Sequence, residues 1–205
     1  MTVRRRALLL SAAAGLLPWH EAQAGGQVEE PLADAVRLAL SAAVADSSLP
    51  PTLPFKDMDE KLGYLGWLGE MSNRLKRREV DYPVRVRFLE SLRYAAMRQG
   101  LDPSLVLGLV QVESGFRRYA ISRVGARGYM QVMPFWARLI GDGNPSHLFH
   151  MQTNLSFGCV ILRHYLDLER GDLYLALGRY NGSRGRPEYP GAVFASQRLW
   201  VYKPA

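Results

Sequence analysis

Apolar side chains recur at helical spacing from the first third of the chain onward. Over residues 32–44, four of them lie four positions apart and so share one helical face: Leu32, Val36, Leu40 and Val44. The proline-rich stretch 47–54 should end that helix, because proline disfavours helical backbone at the residue before it. Residues 61–78 then predict an amphipathic helix with an apolar face made of Leu62, Leu65, Leu68, Met71 and Leu75.

Two further helices have clear start and stop signals. Asp81, ahead of Tyr82 and Pro83, predicts a helix start, and Gly100 is well placed to end that helix. Its predicted apolar stripe consists of Val84, Phe88, Leu92 and Ala95 or Ala96. Asp102 followed by Pro103 predicts the next start. Residues 105–112 are apolar nearly all round, so this next helix should be buried.

The last part of the chain predicts loops and shorter helices. Four glycines mark turns: Gly125, Gly128, Gly141 and Gly143. Residues 151–168 predict a helix whose inward positions are Leu155, Ile161 or Leu162, and Tyr165 or Leu166. Another helix begins at Leu173. No segment alternates apolar and polar residues for long enough to predict a sheet, so we expect a mainly α fold.

The amino-acid composition indicates a folded protein with a positive net charge. The 205 residues are 48% hydrophobic and 22% charged, which suits one packed domain with an additional segment. The formal net charge of +7 is compatible with binding to an acidic polymer or an anionic surface. The basic residues are scattered, apart from short clusters at residues 4–6 and 76–78. Charge alone leaves nucleic acid and other acidic partners open, although scattered charge more often indicates a solvated surface.

The N-terminus has the features of a secretory signal peptide. A cationic start at residues 4–6 precedes an apolar run over 7–17, and residues 22–24 give a small-x-small cleavage pattern. The run is too short to span a bilayer as a mature helix. We expect residues 1–24 to be removed and the protein to reach the periplasm or cell envelope. Cleavage would remove three arginines and one glutamate, which lowers the charge from +7 to +5.

The sequence predicts neither a cofactor nor a metal site. Cys159, the single cysteine, lies in an apolar helical stretch and should be buried and structural. Four histidines lack the spacing of a metal-ligand cluster: His20, His147, His150 and His164. No glycine-rich phosphate loop followed by lysine is present.

Glu113 is the candidate for acid–base chemistry. It comes at the end of the apolar helix and shares a face with Val106, Leu109 and Val110. Such neighbours desolvate a carboxyl group and raise its pKa. A carboxyl group that keeps its proton near neutral pH can act as a general acid. Spacing alone leaves open that Glu113 is an ordinary helix-end glutamate in water.

The residues after Glu113 favour the catalytic interpretation. Residues 113–134 read ESGFRRYAISRVGARGYMQVMP. This stretch resembles the catalytic pattern of the lytic transglycosylases related to goose-type lysozyme, E-S-x-F-x-x-x-A-x-S-x-x-G-A-x-G-L-M-Q-x-x-P. One fixed position differs, since Tyr129 replaces leucine. Three later segments resemble further family motifs in the same order, namely N-L-x-x-G from Asn154, Y-N-G-S from Tyr180 and Y-x-x-x-V from Tyr189. The resemblance covers about residues 85–195.

The resemblance implies a lysozyme-like (goose-type) helical catalytic domain over residues 81–200, after an N-terminal helical extension or linker over 25–80. Glu113 would be the catalytic acid and base that cleaves the β-1,4 bond between MurNAc and GlcNAc in peptidoglycan, leaving a 1,6-anhydroMurNAc end. The substrate-binding positions it implies are Ser122, Tyr129, Gln131, Met133, Tyr180 and Asn181. Tyr129 and Tyr180 could present aromatic faces to sugar rings.

Two alternatives stay open. A goose-type lysozyme-like hydrolase would cut the same bond with water as acceptor, and a non-catalytic module would only bind the wall or assist a secretion apparatus. Asp142 is the next acidic residue after Glu113, which favours chemistry with one carboxylate over the usual pair. The expected partners are peptidoglycan glycan strands, with a cell-envelope or secretion-apparatus protein as a further candidate and no nucleic acid.

Overall fold

A computed structural model of the chain describes residues 27, 29, 31–45 and 55–204. Its regular structure consists of helices, accompanied in the described residues by two isolated β-bridges, Ile121 to Arg127 and Arg127 to Val132. The predicted mainly α fold is therefore confirmed. The predicted signal peptide at 1–24 and the whole proline-rich stretch 47–54 lie outside the described residues.

Most connections between the described helices are short, but residues 115–133 form a long loop between two of them. The helices are α1 Asp34–Ala45, α2 Met58–Leu75, α3 Tyr82–Arg98, α4 Pro103–Ser114, α5 Pro134–Ile140, a 3-10 helix Pro145–Phe149, α6 Met151–Leu168, α7 Leu173–Asn181 and α8 Glu188–Arg198. None of these helices has both the length and the apolar character needed to cross a bilayer.

Acidic residues cap the helix starts as the sequence predicts. The Asp81 carboxylate accepts a hydrogen bond from the backbone N–H of Val84 at 2.9 Å, and Asp102 accepts one from Ser104 at 2.7 Å. Each bond satisfies a backbone donor that has no partner within its own helix. Gly100 adopts a φ of 61° after α3, a conformation that glycine takes without steric cost. The predicted boundaries of α3 and α4 are confirmed.

Two helices, α4 and α6, form the centre of the core. α4 packs against α3 and α8, while α6 packs against α1, α3 and α7. The predicted inward positions of α6 are buried, including Leu155, Ile161 and Leu162. Cys159 is buried among them, and burial raises the pKa of its thiol well above the ordinary value. Its predicted structural role agrees with this position.

The predicted apolar face of α2 is partly wrong. Leu62 and Leu65 are 57% and 48% exposed, whereas Trp67, Met71 and Leu75 are buried. Successive steps of three residues drift around a helix of 3.6 residues per turn, so Leu62 and Leu65 rotate away from the face that carries Met71. Tyr64 and Trp67 take the inward side instead, with the Arg93 guanidinium 5.1 Å from the centre of the Tyr64 ring.

The N-terminal segment is attached to the rest of the molecule. Leu32, Leu40 and Val44 pack against the core beside α5 and α6, on the face that the sequence predicts. Upstream of α1, the Gln27 side-chain amide accepts a hydrogen bond from Trp136 Nε1 at 3.0 Å and donates one to the backbone carbonyl of Tyr180. These contacts tie the segment before α1 to α5 and α7.

A glycine lets α4 and α8 approach each other at backbone distance. A Cβ atom at Gly108 would lie 2.6 Å from the backbone nitrogen of Gln197 and 2.8 Å from its Cα. Backbone atoms of a buried helix cannot move aside as a flexible side chain can. Gly108 therefore sets the separation of these two helices.

We predict that Gly108→Ala lowers the free energy of unfolding by about 1–3 kcal/mol, since an added methyl group overpacks the α4–α8 contact. Gly69→Ala is the control, because a Cβ atom at Gly69 in α2 would meet no atom within 4 Å. It should stabilise the protein by about 0.5–1 kcal/mol through helix propensity. Urea denaturation measures both changes. Equal effects from the two substitutions would contradict the close approach.

Candidate active site

Glu113 lies next to the C-terminal end of α4, where the helix stops abruptly. Gly115 has a φ of 59° and Phe116 a φ of 68°, so two successive residues take the left-handed conformation. The Gly115 N–H still donates to the carbonyl of Gln111 at 3.1 Å, which closes the last turn. Glu113 is 8% exposed, which decides against the helix-end glutamate in water that spacing alone left open.

A tyrosine on α8 holds the Glu113 carboxyl group. Tyr189 lies in the first turn of α8, and its hydroxyl donates a hydrogen bond to Glu113 Oε1. The second oxygen, Oε2, is enclosed and has no hydrogen-bond partner among the described residues. One carboxyl oxygen is therefore fixed, and the other is left for a proton.

Burial controls the charge on Glu113. Desolvation raises the pKa of Glu113 from 4.5 to about 8, against the smaller lowering effect of the Tyr189 hydrogen bond. No other carboxylate of the described residues contributes to this pKa. The pKa of Tyr189 is raised well above the ordinary value, first by burial and then by the nearby Glu113 charge. Glu113 therefore carries its proton at neutral pH, which a general acid requires.

The loop after α4 is tied to the helices by two polar side chains. The Ser114 hydroxyl donates to the Tyr129 carbonyl at 2.7 Å. Asn154 on α6 accepts from the Met130 N–H at 2.8 Å, and its amide donates to the carbonyls of Arg127 and Leu148 at 2.8 Å each. These bonds satisfy backbone groups that would otherwise be buried without partners.

Gln131 and Ser122 also stabilise this loop from within. Gln131 has a φ of 49°, unusual for a residue with a side chain. Its amide nitrogen donates to the carbonyls of Ala120 at 3.2 Å and Gly128 at 2.9 Å, which offsets the strain. The Ser122 hydroxyl accepts from the Ala126 N–H at 3.0 Å. The predicted substrate residue Gln131 is thus buried and engaged in loop contacts.

The predicted aromatic faces of Tyr129 and Tyr180 are not available to sugar rings. Tyr129 is 3% exposed, and its ring centre lies 4.7 Å from that of Phe88. Tyr180 is 2% exposed, and its hydroxyl donates to the Met130 carbonyl at 2.8 Å. Burying a large ring and pairing its hydroxyl is favourable, so both tyrosines belong to the core. The prediction that these two rings present exposed faces for stacking on sugars is therefore wrong in this structure.

The remaining predicted substrate residues lie around the same loop. Ser122 and Met133 are half-buried, and Met133 immediately precedes α5. Asn181 is buried at the end of α7, just before Gly182 with its φ of 81°. Direct contact of these three residues with substrate stays a prediction.

Two residues with clear structural roles were quoted in sequence motifs without a role. Tyr189 binds the Glu113 carboxyl from a position 76 residues away, and Asn154 holds the loop. The motifs Y-x-x-x-V and N-L-x-x-G pointed to these positions. The partners could not be inferred, since both pairings depend on how the helices pack.

The histidines in the described part of the chain do not belong to a cluster of possible metal ligands. No group of three or more histidine, cysteine, aspartate or glutamate side chains in the described part of the chain could hold a metal ion. His147 Nδ1 lies 2.5 Å from Asp142 Oδ2, and the His147 ring stacks on His150 with centres 5.1 Å apart. Asp142 is therefore engaged in an exposed contact with His147.

Known sequences identify the segment that carries this site. Residues 90–192 match the transglycosylase SLT domain family. The chain is 45% identical over 97 residues to membrane-bound lytic murein transglycosylase C of Histophilus somni (strain 2336), covering 43% of this chain and 25% of that protein. It is 35% identical over 117 residues to the transglycosylase of Enterobacteria phage PRD1, covering 54% of this chain and 43% of that protein. The chain thus spans less than half of either relative.

A solved structure shows the same fold. The lytic transglycosylase Slt of Pseudomonas aeruginosa, determined as an inactive mutant, superimposes with a TM-score of 0.50 at 21% identity. The match covers 68% of this chain and 29% of that one. At this identity the likeness concerns the fold alone, and it confirms the predicted lysozyme-like helical architecture.

We predict that the stability difference between Glu113→Gln and the wild type depends on pH. The unfolded carboxyl ionises near 4.5 and the folded one near 8. The wild-type stability that comes from the protonated form is complete below about pH 4.5 and is lost as pH rises towards 8. The free energy of unfolding of Glu113→Gln should therefore rise relative to that of the wild type across this window, by on the order of a few kcal/mol. Urea denaturation from pH 4 to 9 tests this prediction. A difference in the free energy of unfolding that stays constant with pH would contradict it.

Removing the Tyr189 hydroxyl should raise the pKa of Glu113 further, because the lost hydrogen bond favours the charged carboxylate. Carbon-13 NMR of labelled glutamate carboxyl groups measures the titration midpoint in Tyr189→Phe. Tyr82→Phe is the matched control, since Tyr82 is exposed and distant in sequence from Glu113. An unchanged or lower midpoint in Tyr189→Phe would show that the hydrogen bond does not act on the carboxyl group.

Proposed function

This chain belongs to the transglycosylase SLT domain family, and from that premise we propose that it is a peptidoglycan lytic transglycosylase. It would cleave the β-1,4 bond between MurNAc and GlcNAc and leave a 1,6-anhydroMurNAc end. The observation that carries the proposal is the buried Glu113 carboxyl group, whose pKa of about 8 keeps a proton on it at neutral pH.

In the first step Glu113 acts as the acid. Oε2, which has no hydrogen-bond partner in the described part of the chain, passes its proton to the glycosidic oxygen as the bond from that oxygen to the anomeric carbon breaks. Positive charge develops on the sugar ring, and negative charge develops on the carboxyl group. The Tyr189 hydrogen bond to Oε1 stabilises this new carboxylate. Tyr189 thus acts as a positioning residue.

In the second step the same carboxylate acts as the base. It takes the proton from the 6-hydroxyl of the MurNAc residue while that oxygen forms a bond to the anomeric carbon. The product is the 1,6-anhydro ring, and Glu113 regains its proton without consumption of water. A group with a pKa near the working pH suits both directions of proton transfer.

The surroundings of Glu113 support a mechanism with a single carboxylate. Most glycosidases use a second carboxylate as nucleophile or as base toward water. In the described part of the chain, no second carboxylate affects the pKa of Glu113, and Asp142 is paired with His147 at the surface. A nucleophile supplied by the substrate itself fits this arrangement better than hydrolysis.

We assign the substrate contacts to the loop that carries the family motif. Ser122, Met133 and Asn181 are the proposed lining residues, whereas Tyr129, Gln131 and Tyr180 would act by holding the loop and its neighbours in place. Because Oε2 is enclosed, the proposal requires the side chains above Glu113 to move when the glycan binds.

The proposed location follows from the substrate. We propose that residues 1–24 direct export to the periplasm or cell envelope, where peptidoglycan lies, and that residues 25–80 extend the catalytic domain. The Histophilus relative is described as membrane-bound. A cell-envelope or secretion-apparatus partner is a further prediction.

We predict that Glu113→Gln lowers the rate at which the protein clears a peptidoglycan suspension by at least about a hundredfold, the usual contribution of a general acid. Glu60→Gln removes an exposed glutamate at the start of α2 and is the matched control, which should clear the suspension at the wild-type rate. Turbidity measures both. Equal clearing by the wild type and Glu113→Gln would remove Glu113 from the mechanism.

Mass spectrometry of the released fragments distinguishes transglycosylation from hydrolysis. The predicted fragments are lighter than the hydrolytic ones by one water, because the 6-hydroxyl replaces water as nucleophile. Fragments with the hydrolytic mass would identify a goose-type lysozyme-like hydrolase instead.

A further inference from the structure

Two surface cavities lie side by side at the C-terminal end of α2. One has a volume of about 390 Å³ and the other about 540 Å³, and Arg74 and Leu199 line both. Neither cavity includes Glu113. The proposed chemistry therefore leaves this concave surface without a role.

The smaller cavity, here called the basic cleft, is lined by cationic side chains from one short segment. Lys76, Arg77 and Arg78 come from the turn after α2, and Gln111 and Trp200 form the opposite wall. All three cationic residues are exposed. In the described residues, no carboxylate is paired with Lys76 or Arg77, so their charge is available to a ligand.

The neighbouring charges do not cancel this positive potential. Arg74 Nε contacts Glu70 Oε1 at 2.8 Å, so these two side chains neutralise each other. Arg74 also donates to the carbonyls of Leu199 at 2.8 Å and Val201 at 3.1 Å, which fixes the segment after α8 against α2. Arg198 and Lys203 add two further cations to the adjoining cavity.

The walls of the basic cleft are fixed by packing. Trp200 is buried, its indole N–H donates to Gln111 Oε1 at 2.9 Å, and its ring centre lies 5.2 Å from that of Phe116. The Arg78 guanidinium lies over the Phe116 ring at 5.5 Å. Because this wall is already ordered, a ligand that binds beside it loses entropy only for itself and for the exposed cations that it contacts.

The basic cleft and Glu113 lie on different sides of α4. Gln111 and Glu113 are two residues apart, and two residues correspond to a rotation of roughly 200° around a helix. A group bound beside Gln111 is therefore not the glycosidic bond beside the Glu113 carboxyl. A ligand group in the basic cleft would therefore be a different group from the bond that is cut.

We propose that the basic cleft is a second wall-binding site, which takes the carboxylates of peptide stems in peptidoglycan. The inference rests on the proposed function, since it takes peptidoglycan as the substrate. A MurNAc residue that bears a stem has its own carboxyl group in an amide bond, so the negative charges of such a strand lie on the peptide. Arginine and lysine side chains bind carboxylates through charge-assisted hydrogen bonds. Contacts here would hold the protein on the wall independently of Glu113.

The test compares two double variants in an uncleaving Glu113→Gln background. Lys76→Gln/Arg77→Gln removes two charges from the basic cleft. Lys61→Gln/Arg87→Gln removes one lysine and one arginine elsewhere, at exposed positions on α2 and α3. Isothermal titration calorimetry measures binding of soluble, phosphate-free glycan strands with intact stems, or with the stems removed by an amidase. Urea denaturation verifies that both variants fold.

The proposal predicts that the cleft variant binds stem-bearing strands roughly fivefold more weakly than the control, as expected for two exposed charge contacts. The difference should shrink at high salt. It should disappear on stripped strands, whose remaining carboxylates lie on the sugar. Equal binding of both variants to stem-bearing strands would overturn the proposal, as would a difference that persists on stripped strands.

The outcome separates this site from the proposed function. Turbidity and fragment mass test Glu113, while the titrations use protein that does not cleave. Loss of clearing in Glu113→Gln together with equal binding by the two double variants would retain the enzyme and reject the second site. Failure of the control variant to bind any glycan strand would contradict both.

Discussion

Burial of the Glu113 carboxyl group between two helices, moderated by one hydrogen bond, sets its protonation state. Glu113 on α4 receives the Tyr189 hydroxyl from α8, and Gly108 lets the same two helices approach at backbone distance. Burial favours the protonated carboxyl group, and the tyrosine moderates that effect so that the charged form stays accessible. A group that must both give and accept a proton needs this balance.

The polar residues of the family motif serve mainly to build the loop beside Glu113. Ser114, Gln131 and Asn154 direct their side chains to backbone groups of the loop. Such bonds satisfy buried donors and acceptors and hold a strained backbone at Gln131. The motif therefore encodes the shape of the loop beside Glu113.

Local features were predictable from the sequence, and features that depend on packing were not. Asp81 and Asp102 set helix starts within one turn, and the apolar neighbours of Glu113 favoured its burial only together with the family motif that follows it. The face of α2 was predicted incorrectly because aromatic contacts and small rotations decide it. Tyr129 and Tyr180 were expected at a sugar surface, yet residue type does not reveal whether an aromatic ring points outward. The partner of Glu113 lies 76 residues away, beyond any local pattern.

The protonation state of Glu113 at neutral pH tests the account most directly. Infrared difference spectroscopy between the wild type and Glu113→Gln, with isotope-labelled glutamate, isolates the carboxyl vibrations of this one side chain. The account predicts a protonated carboxyl band at neutral pH, replaced by a carboxylate band with a midpoint of about 8. A carboxylate band at neutral pH, with a midpoint near the ordinary value of 4.5, would contradict it.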